Sequence, residues 1–295
     1  MGLLSFLSGN RKPFDPVAAA GRVEALQSAL PPGTKINLLE PDRDLRRLVY
    51  MIELVGDRQL ASQMLGTAAA IVASTEERWD LDLSVHDTAD EESTYSSFAL
   101  PDVQVEWVDV LGRAHDEMYA IAPEQTIVLD ADGGDFTISD LPRGKALAIA
   151  TAAVRWWEGI LRDTAGRWSD STLSVEAGPV GDGVSSEVIY SATVERDPDP
   201  MGYNKTATGS KRVTDEEWSQ RVFAAWNQNL PAFEAMLRLP VPAGHEAEIS
   251  FTATKLKPRL SVRSHESYSD EDKAVAKDLV ATIRSQIPDS KLKVE

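Results

Sequence analysis

The spacing of apolar residues changes from a helical period to a strand period about a quarter of the way along the chain. In the first part, apolar side chains recur every three or four residues, which places them on one face of an α-helix. This spacing predicts helices over 15–30, 42–55 and 58–74, and proline or glycine marks the ends of the first two. We therefore expect residues 1–74 to form an N-terminal helical layer.

Beyond this layer, apolar and polar side chains alternate, as they do on a strand that buries one face. In 79–88 the tryptophan and the aliphatic side chains occupy one face, while Asp80, Asp82 and His86 share the other. A second alternating segment predicts a strand over 102–111. Both segments have the pattern of antiparallel strands with one solvated face.

A hairpin followed by a helix is predicted three times in the remainder of the chain, over 126–162, 172–238 and 248–287. The helices begin at a proline, a capping box and a capping serine respectively. Three tryptophans have the helical spacing of core residues and are expected to pack inside: Trp157, Trp218 and Trp226.

Together these elements predict an α+β fold with mainly antiparallel sheet, built from hairpin-then-helix units and preceded by the helical layer. We expect the helical layer over 1–74, an acidic sheet with a long buried helix over 75–165, and a second αβ half over 166–295 with two hairpin-then-helix units. The last two regions can also form one continuous domain.

The composition of the 295 residues is that of a globular protein, with 42% hydrophobic and 26% charged residues. The chain contains no cysteine, which excludes disulfides and thiolate zinc sites and fits a reducing compartment. It has no run of about eighteen apolar residues and no secretory signal pattern, so we expect no membrane association. We place the protein in a cytoplasm, and its preference for arginine over lysine is typical of GC-rich bacteria.

Negative charge is concentrated in one block of the chain, residues 75–140. The block contains eighteen Asp and Glu against two arginines, a formal charge of −16, whereas the whole chain carries −17. Nucleic acid is disfavoured as a partner because phosphate binding needs a basic surface. An acidic surface of this kind instead attracts a basic protein, because opposite charges accelerate the encounter and add specificity.

We predict that the strands of this block display an acidic sheet face that binds such a partner. The residues predicted to line it are Asp80, Asp82, His86, Asp87, Asp90, Glu91, Glu92, Glu106 and Asp109.

A metal site is an alternative use of the same residues. Carboxylates at alternate strand positions can bind a hard cation, so Asp80, Asp82 and His86 are weak candidates for metal ligands, with Glu106 or Asp109 as a further ligand from the next strand. The interpretation without a functional role is a polar strand face exposed to solvent. We favour it because strands with one solvated face have this pattern.

The four histidines each precede an acid, but neighbours on a strand point apart, so adjacency does not make a pair. No histidine has the spacing of a metal motif, and we expect these side chains to face solvent or to bond locally.

No catalytic motif, phosphate-binding loop or cofactor motif occurs, so we expect no cofactor and favour a non-enzymatic function over an enzymatic one. The leading hypothesis is a non-enzymatic protein-binding protein, for example an immunity or inhibitor protein, an adaptor or an effector chaperone. One alternative is an acidic structural subunit of a larger assembly. The other is a metal-dependent hydrolase that uses Asp80, Asp82, His86 and Glu106.

Overall fold

The described part of the chain forms two compact units. The computed structural model describes residues 16–39, 48–73, 79–87, 94–100, 105–131, 134–163, 170–178, 186–195, 215–252, 255–264 and 269–295. Unit 1 comprises Met1–Asp116 and Asp130–Asp132, and unit 2 comprises Glu117–Leu129 and Gly133–Glu295.

Unit 1 contains four strands in the order β1-β2-β3-β4. The pairs β1/β2 and β3/β4 are antiparallel, whereas β2 and β3 run parallel. The elements are α1 (Pro16–Ala29), β1 (Lys35–Leu39), β2 (Leu48–Val55), a 3-10 helix (Arg58–Leu60), α2 (Ala61–Val72), β3 (Trp79–His86), β4 (Tyr95–Leu100) and α3 (Val105–Ile121), whose residues up to Asp116 belong to this unit.

One face of the unit 1 sheet is buried and apolar. Alternate residues of the strands point to it and are at most 3% exposed: Tyr50, Ile52, Leu54, Leu81, Leu83, Val85, Ser96, Phe98 and Leu100. The helices contact this face, since Arg22 of α1 donates a hydrogen bond to the Tyr50 hydroxyl and the His115 ring of α3 packs against Phe98. Burial of one face is what fixes the register of each strand.

Unit 2 contains the strands β5 to β11, in chain order across the sheet. The pairs β7/β8 and β9/β10 are antiparallel, whereas β6/β7, β8/β9 and β10/β11 are parallel. The elements are β5 (Thr126–Asp130), β6 (Asp135–Leu141), α4 (Arg143–Asp163), β7 (Asp170–Ala177), β8 (Glu187–Glu195), α5 (Asp215–Leu237), β9 (His245–Thr252), β10 (Arg259–Ser264), α6 (Asp270–Gln286) and β11 (Lys293–Val294).

Large aromatic side chains fill the core of unit 2, and the polar atoms of Trp157, Tyr190 and Trp226 are hydrogen-bonded. The Tyr190 hydroxyl donates to the Trp226 carbonyl at 2.6 Å, and Trp226 Nε1 donates to the Ala150 carbonyl at 2.8 Å. Trp157 Nε1 donates to Ser171 Oγ at 2.9 Å. The predicted burial of Trp157 and Trp226 is therefore confirmed, while the Trp218 side chain lies outside the described residues.

The predicted α+β class is confirmed, but the prediction of mainly antiparallel sheet is wrong. The strand pairs with a defined register are evenly divided between parallel and antiparallel. The hairpins β1/β2, β3/β4, β7/β8 and β9/β10 are antiparallel, whereas the helices α2, α4 and α5 each cross back over the sheet before the next strand begins. That crossover makes the strands on either side of the helix parallel.

The three predicted hairpin-then-helix units are confirmed as β5–β6–α4, β7–β8–α5 and β9–β10–α6. Unit 1 contains two more such units that the sequence analysis missed, namely β1–β2–α2 and β3–β4–α3. The described residues therefore carry the same order of elements five times.

The prediction of a purely helical N-terminal layer is wrong, because β1 and β2 lie within it. The helix predicted over 42–55 is strand β2 from Leu48 onward. Apolar residues occupy both faces of this strand, and their spacing also satisfies a helical pattern. β-Branched and aromatic residues such as Val49, Tyr50 and Ile52 favour the strand.

The strand predicted over 102–111 is also wrong, since residues from Val105 onward form helix α3. The buried side chains Trp107, Leu111, Ala114 and Met118 recur at helical spacing. The short alternation near the start of this segment covers only about one helical turn, so it was too short to distinguish the two periods.

No helix among the described residues combines the length and the apolarity needed to cross a membrane.

The close approach of β7 and β8 yields a stability prediction. In Gly178→Ala the new Cβ would lie 3.0 Å from Glu187 Cγ and 3.1 Å from the Ser186 carbonyl oxygen. We expect this overpacking to lower the free energy of unfolding by roughly 1–3 kcal/mol in urea denaturation. Gly159→Ala is the matched control, because nothing lies within 4 Å of its Cβ on helix α4. The control should raise the free energy of unfolding by about 0.5–1 kcal/mol. Equal changes of this free energy in the two variants would contradict the prediction.

Candidate functional site

The face of the unit 1 sheet opposite the core is the candidate site, and we call it the outer face. It consists of the alternate strand residues that point away from α1 and α3: Lys35, Asn37, Leu39, Val49, Met51, Glu53, Val55, Asp80, Asp82, Ser84, His86, Tyr95, Ser97 and Ala99. These side chains are half-buried or exposed, unlike those of the opposite face.

Apolar side chains are exposed together on the outer face. Leu39 is 49% exposed, Met51 36% and Val55 44%. Leu39 lies opposite Val49, so Met51 is its diagonal neighbour, roughly 7–8 Å away between backbones. Single exposed apolar residues are common on soluble proteins, whereas a group on one face marks an interaction surface.

Acidic side chains lie directly beside this apolar group. Across the β2/β3 pair, Asp80 lies opposite Val49 and Asp82 lies opposite Met51. Glu53 adds a third carboxylate and faces Lys35 across the β1/β2 pair. The outer face therefore carries three carboxylates and one lysine beside its apolar residues, and Glu53 lies between Met51 and Val55 on β2.

His86 lies at one end of the outer face, between Val55 and Tyr95 in the strand register. Its ring and that of Tyr95 are 5.5 Å apart between centroids and tilted by 32°. Its Nδ1 atom is buried and has no hydrogen-bond partner within the described residues. His86 therefore contributes ring packing against Tyr95 at the border of the face.

The predicted acidic residues do not all lie on this face. The structure brings Asp80, Asp82 and His86 together on β3 as predicted, and Asp87 follows them directly. Asp109 is exposed on α3, which packs against the opposite face of the sheet.

For four other residues predicted to line the acidic face, the structure describes the backbone alone or nothing. Glu106 belongs to helix α3 and not to a strand, and its side chain lies outside the described residues. Asp90, Glu91 and Glu92 also lie outside the described residues.

No group of three or more histidine and carboxylate side chains within the described residues could hold a metal ion. Asp80, Asp82 and His86 are alternate residues of one strand, so neighbours in this set are separated by roughly 7 Å or more along the backbone.

A buried polar cluster lies on the core side of β4 and joins three elements of unit 1. It consists of Arg58 from the 3-10 helix, Ser96 from β4 and His115 from α3, which are 1%, 0% and 0% exposed. Arg58 Nε donates to Ser96 Oγ at 3.1 Å, and Arg58 Nη2 donates to the Tyr95 carbonyl at 3.2 Å. His115 Nε2 lies 2.9 Å from the same Ser96 oxygen.

The surroundings of the His115 ring disfavour its charged form. Burial lowers the pKa of His115 below its ordinary value; the nearby Asp116 carboxylate raises it in part, and the charge of Arg58 lowers it further. The expectation that the histidines face solvent or bond locally is met for this residue by its contact with Asp116, although its ring is fully buried. The helical spacing that includes Trp107, Leu111 and Met118 places residue 115 on the buried side of α3, and that signal could have found it.

The polar face of unit 2 differs from the outer face of unit 1, because hydroxyl groups dominate it. One row across the sheet reads Thr137, Ser174, Ser191 and Ser250. Its carboxylates are partly satisfied within the unit, since Ser191 Oγ donates to Glu248 at 2.6 Å and Arg263 contacts Glu246 and Glu248 at 3.3 and 3.0 Å.

Unit 2 also contains a shallow cavity of about 120 Å³ beside α5. Its polar lining includes Gln228, Asn229, Asp289 and Lys291. Pockets that bind small organic molecules usually measure roughly 300–1,000 Å³, so this cavity is a poorer candidate than the outer face.

Replacing the buried guanidinium should destabilise unit 1. Arg58→Ala would leave the Tyr95 carbonyl and Ser96 hydroxyl without a strong donor and would open a cavity. We expect a loss of roughly 2–4 kcal/mol in the free energy of unfolding, measured by urea denaturation. Arg113→Ala on the exposed side of α3 is the control and should change stability by less than about 0.5 kcal/mol. A small effect of the Arg58 variant would show that the cluster does not stabilise the fold.

The half-buried Glu176 in unit 2 predicts a pH-dependent stability. Burial raises the pKa of Glu176, a hydrogen bond from Ser174 lowers it, and the charges of Glu187, Asp140 and Glu246 raise it. A carboxyl group whose pKa is higher in the folded state than in the unfolded state stabilises the fold while it is protonated. This stabilisation is complete below the unfolded pKa and is lost as the pH rises through the folded pKa.

The neutral variant Glu176→Gln should therefore be more stable than the parent near neutral pH, by a few degrees in Tm. The gain should vanish below the ordinary value of 4.5. Glu124→Gln, at an exposed position, should show no such gain in thermal scans at several pH values. A gain for Glu176→Gln that persists in acid would refute the electrostatic cause.

Comparison with known proteins gives no relative: no family model matches the chain, and neither a curated protein nor a solved structure does so.

Proposed function

We propose that this protein is a non-enzymatic protein-binding protein whose outer face engages a partner with basic side chains. The observation that carries the proposal is that the Asp80 and Asp82 carboxylates lie directly opposite Val49 and Met51, next to exposed Leu39, on one sheet face. A specific protein interface combines apolar and charged side chains.

The apolar residues of the outer face would supply the affinity. Burial of exposed apolar surface contributes about 25 cal/mol per Å², so side chains of the size of Leu39 and Met51 can each add significantly. Tyr95, half-buried on the same face, offers the aromatic contact that interfaces favour.

The carboxylates would determine the specificity for the partner. Negative charge near an interface accelerates encounter with a basic protein and disfavours acidic competitors, and the formal charge of −17 for the chain acts in the same direction. The proposed interface is smaller than one formed by the whole acidic block, because Asp109 lies on α3, which packs on the opposite face of the sheet.

An immunity or inhibitor protein, an adaptor and an effector chaperone would each use a surface of this kind. We propose that the protein works in a cytoplasm, which the absence of cysteine supports.

The proposal is tested by reversing the charge of the outer face. Asp80→Lys/Asp82→Lys should reduce capture of a basic partner by at least about tenfold in a quantitative pull-down from lysate of the native host. The matched control is Asp109→Lys/Glu117→Lys, which makes the same charge change at two exposed positions of α3. The control should retain the partner, and raising the salt concentration to several hundred millimolar should weaken the capture by the parent.

A basic protein that binds the parent and the control but not the outer-face variant would support the proposal. If the two variants capture the same proteins to the same extent, the outer face is not the binding surface and the proposal fails. Circular dichroism of each variant checks that the fold is retained.

A further inference from the structure

Strand β1 forms an open edge of the unit 1 sheet. Within the described residues it is the first strand of the order and pairs with β2 alone. Alternate backbone N–H and C=O groups of β1 therefore point away from β2, toward a position that a further strand can occupy. The strand contains one charged side chain, Lys35, and its apolar Leu39 is 49% exposed. An apolar edge of this kind favours association with another strand.

The last strand of unit 2 has the features that usually protect an edge. Strand β11 consists of two residues, Lys293–Val294, and Lys291 lies just before it. Short strands and lysines discourage pairing between edges. Strand β1 is longer, at roughly 17 Å for its five residues, and has its single lysine at one end. The β1 edge therefore lacks the protection that β11 has.

Helix α1 packs on β1 and also exposes apolar surface. It contacts β1 and α2, and its fully buried side chains are Ala19 and Leu26. Val17 is 80% exposed, and nothing lies within 4 Å of the position that a Cβ on Gly21 would take. Further exposed apolar residues of α1 are all alanines: Ala18, Ala20, Ala25 and Ala29. Apolar residues thus occur on every side of α1, which is typical of a helix that is covered on more than one side.

The charge of this edge differs from that of the chain as a whole. Two copies of a chain with a formal charge of −17 repel each other. Residues 16–39, from α1 to β1, contain Arg22 and Lys35 against Glu24, a net charge of +1. If two copies meet at β1, the Asp80 carboxylates of the two copies are five strand intervals apart, roughly 24 Å. That distance is about three Debye lengths at physiological ionic strength, so this edge allows two copies to approach with little repulsion.

Two β1 strands are complementary when they pair antiparallel about Asn37. A two-fold axis perpendicular to the sheet produces this pairing and keeps the helices of both copies on the same side. Asn37 then lies opposite Asn37 of the second copy, Ile36 opposite Leu38, and Lys35 opposite Leu39. This register pairs all five residues and places no like charges opposite each other.

We propose that the protein forms a two-fold dimer in which the β1 strands of two copies pair antiparallel and the α1 helices flank the pair. Stable interfaces usually bury roughly 1,200–2,000 Å², so five-residue strands need a second layer of contacts, and α1 supplies it. The outer faces of the two copies then form one surface, with Met51 and Asn37 of both copies in one row. The dimer does not depend on the proposed basic partner, because the edge and not the outer face makes the contact.

The mass of the full chain in solution tests the dimer. At about 100 μM, well above the Kd of a micromolar dimer, analytical ultracentrifugation should give twice 32.2 kDa. Added salt should favour the dimer, because screening weakens the repulsion between two acidic chains. A monomer at this concentration and at physiological ionic strength would overturn the proposal.

Charge substitutions at Leu39 test the register, and this exposed position tolerates them without loss of the fold. Leu39→Lys would place a lysine opposite Lys35 of the second copy, whereas Leu39→Glu would place a carboxylate there. The Kd of the dimer should be about tenfold higher for Leu39→Lys than for Leu39→Glu. Net charge alone predicts the reverse order, because Leu39→Glu makes the chain more acidic. Equal Kd values, or the reverse order, would overturn the proposal.

Two further variants serve as controls. Val55→Lys makes the same kind of change at a residue that is 44% exposed and lies opposite no residue of β1, so it should dimerise like the parent. Lys35→Glu/Leu39→Lys restores opposite charges and should recover the dimer. If Val55→Lys weakens the dimer as much as Leu39→Lys, the β1 edge is not the contact. Asp80→Lys/Asp82→Lys should remain dimeric, so loss of the partner and loss of the dimer are separate results.

Discussion

Burial of a single face of each sheet is the constraint on which the rest of the structure depends. In unit 1 the strand residues that point to the helices are apolar and almost fully buried, such as Ile52, Leu83 and Phe98. Successive side chains of a strand point to opposite faces, so burial of one face allows the other face to carry different types of residue. The face opposite the core carries apolar and acidic residues in unit 1 and rows of hydroxyl groups in unit 2.

The direction of the strands follows from the helices and could not be predicted from local sequence. Composition and turn residues indicate where each hairpin and each helix begins, as Ser269 does with its capping box to Asp272. They contain no information on which way the chain crosses the sheet between two hairpins. The parallel pairing of β8 with β9, for example, is decided by how α5 packs on the sheet, which is a tertiary property.

Prediction of the candidate site succeeded where one face of a strand was uniform and failed where both faces were mixed. The alternation through Asp80 and Asp82 was long enough to identify β3 and its outward side. In β2 apolar residues occupy both faces, so Met51 and Val55 of the outer face fall within the helix predicted over 42–55. The acids of α3 were assigned to a strand, which spread the predicted face over two layers of the unit.

The outer face and the buried cluster are linked through strand β4, because consecutive residues of one strand serve both. Ser96 points inward and meets Arg58 and His115, whereas Tyr95 and Ser97 point outward. The Tyr95 carbonyl also accepts from Arg58, so the backbone that positions this aromatic ring is held by the cluster. A change that releases β4 from the core therefore also displaces Tyr95 from the outer face. The packing of the core and the shape of the outer face are for this reason not separable in unit 1: a substitution at position 58 or 115 is expected to alter a surface that neither side chain reaches.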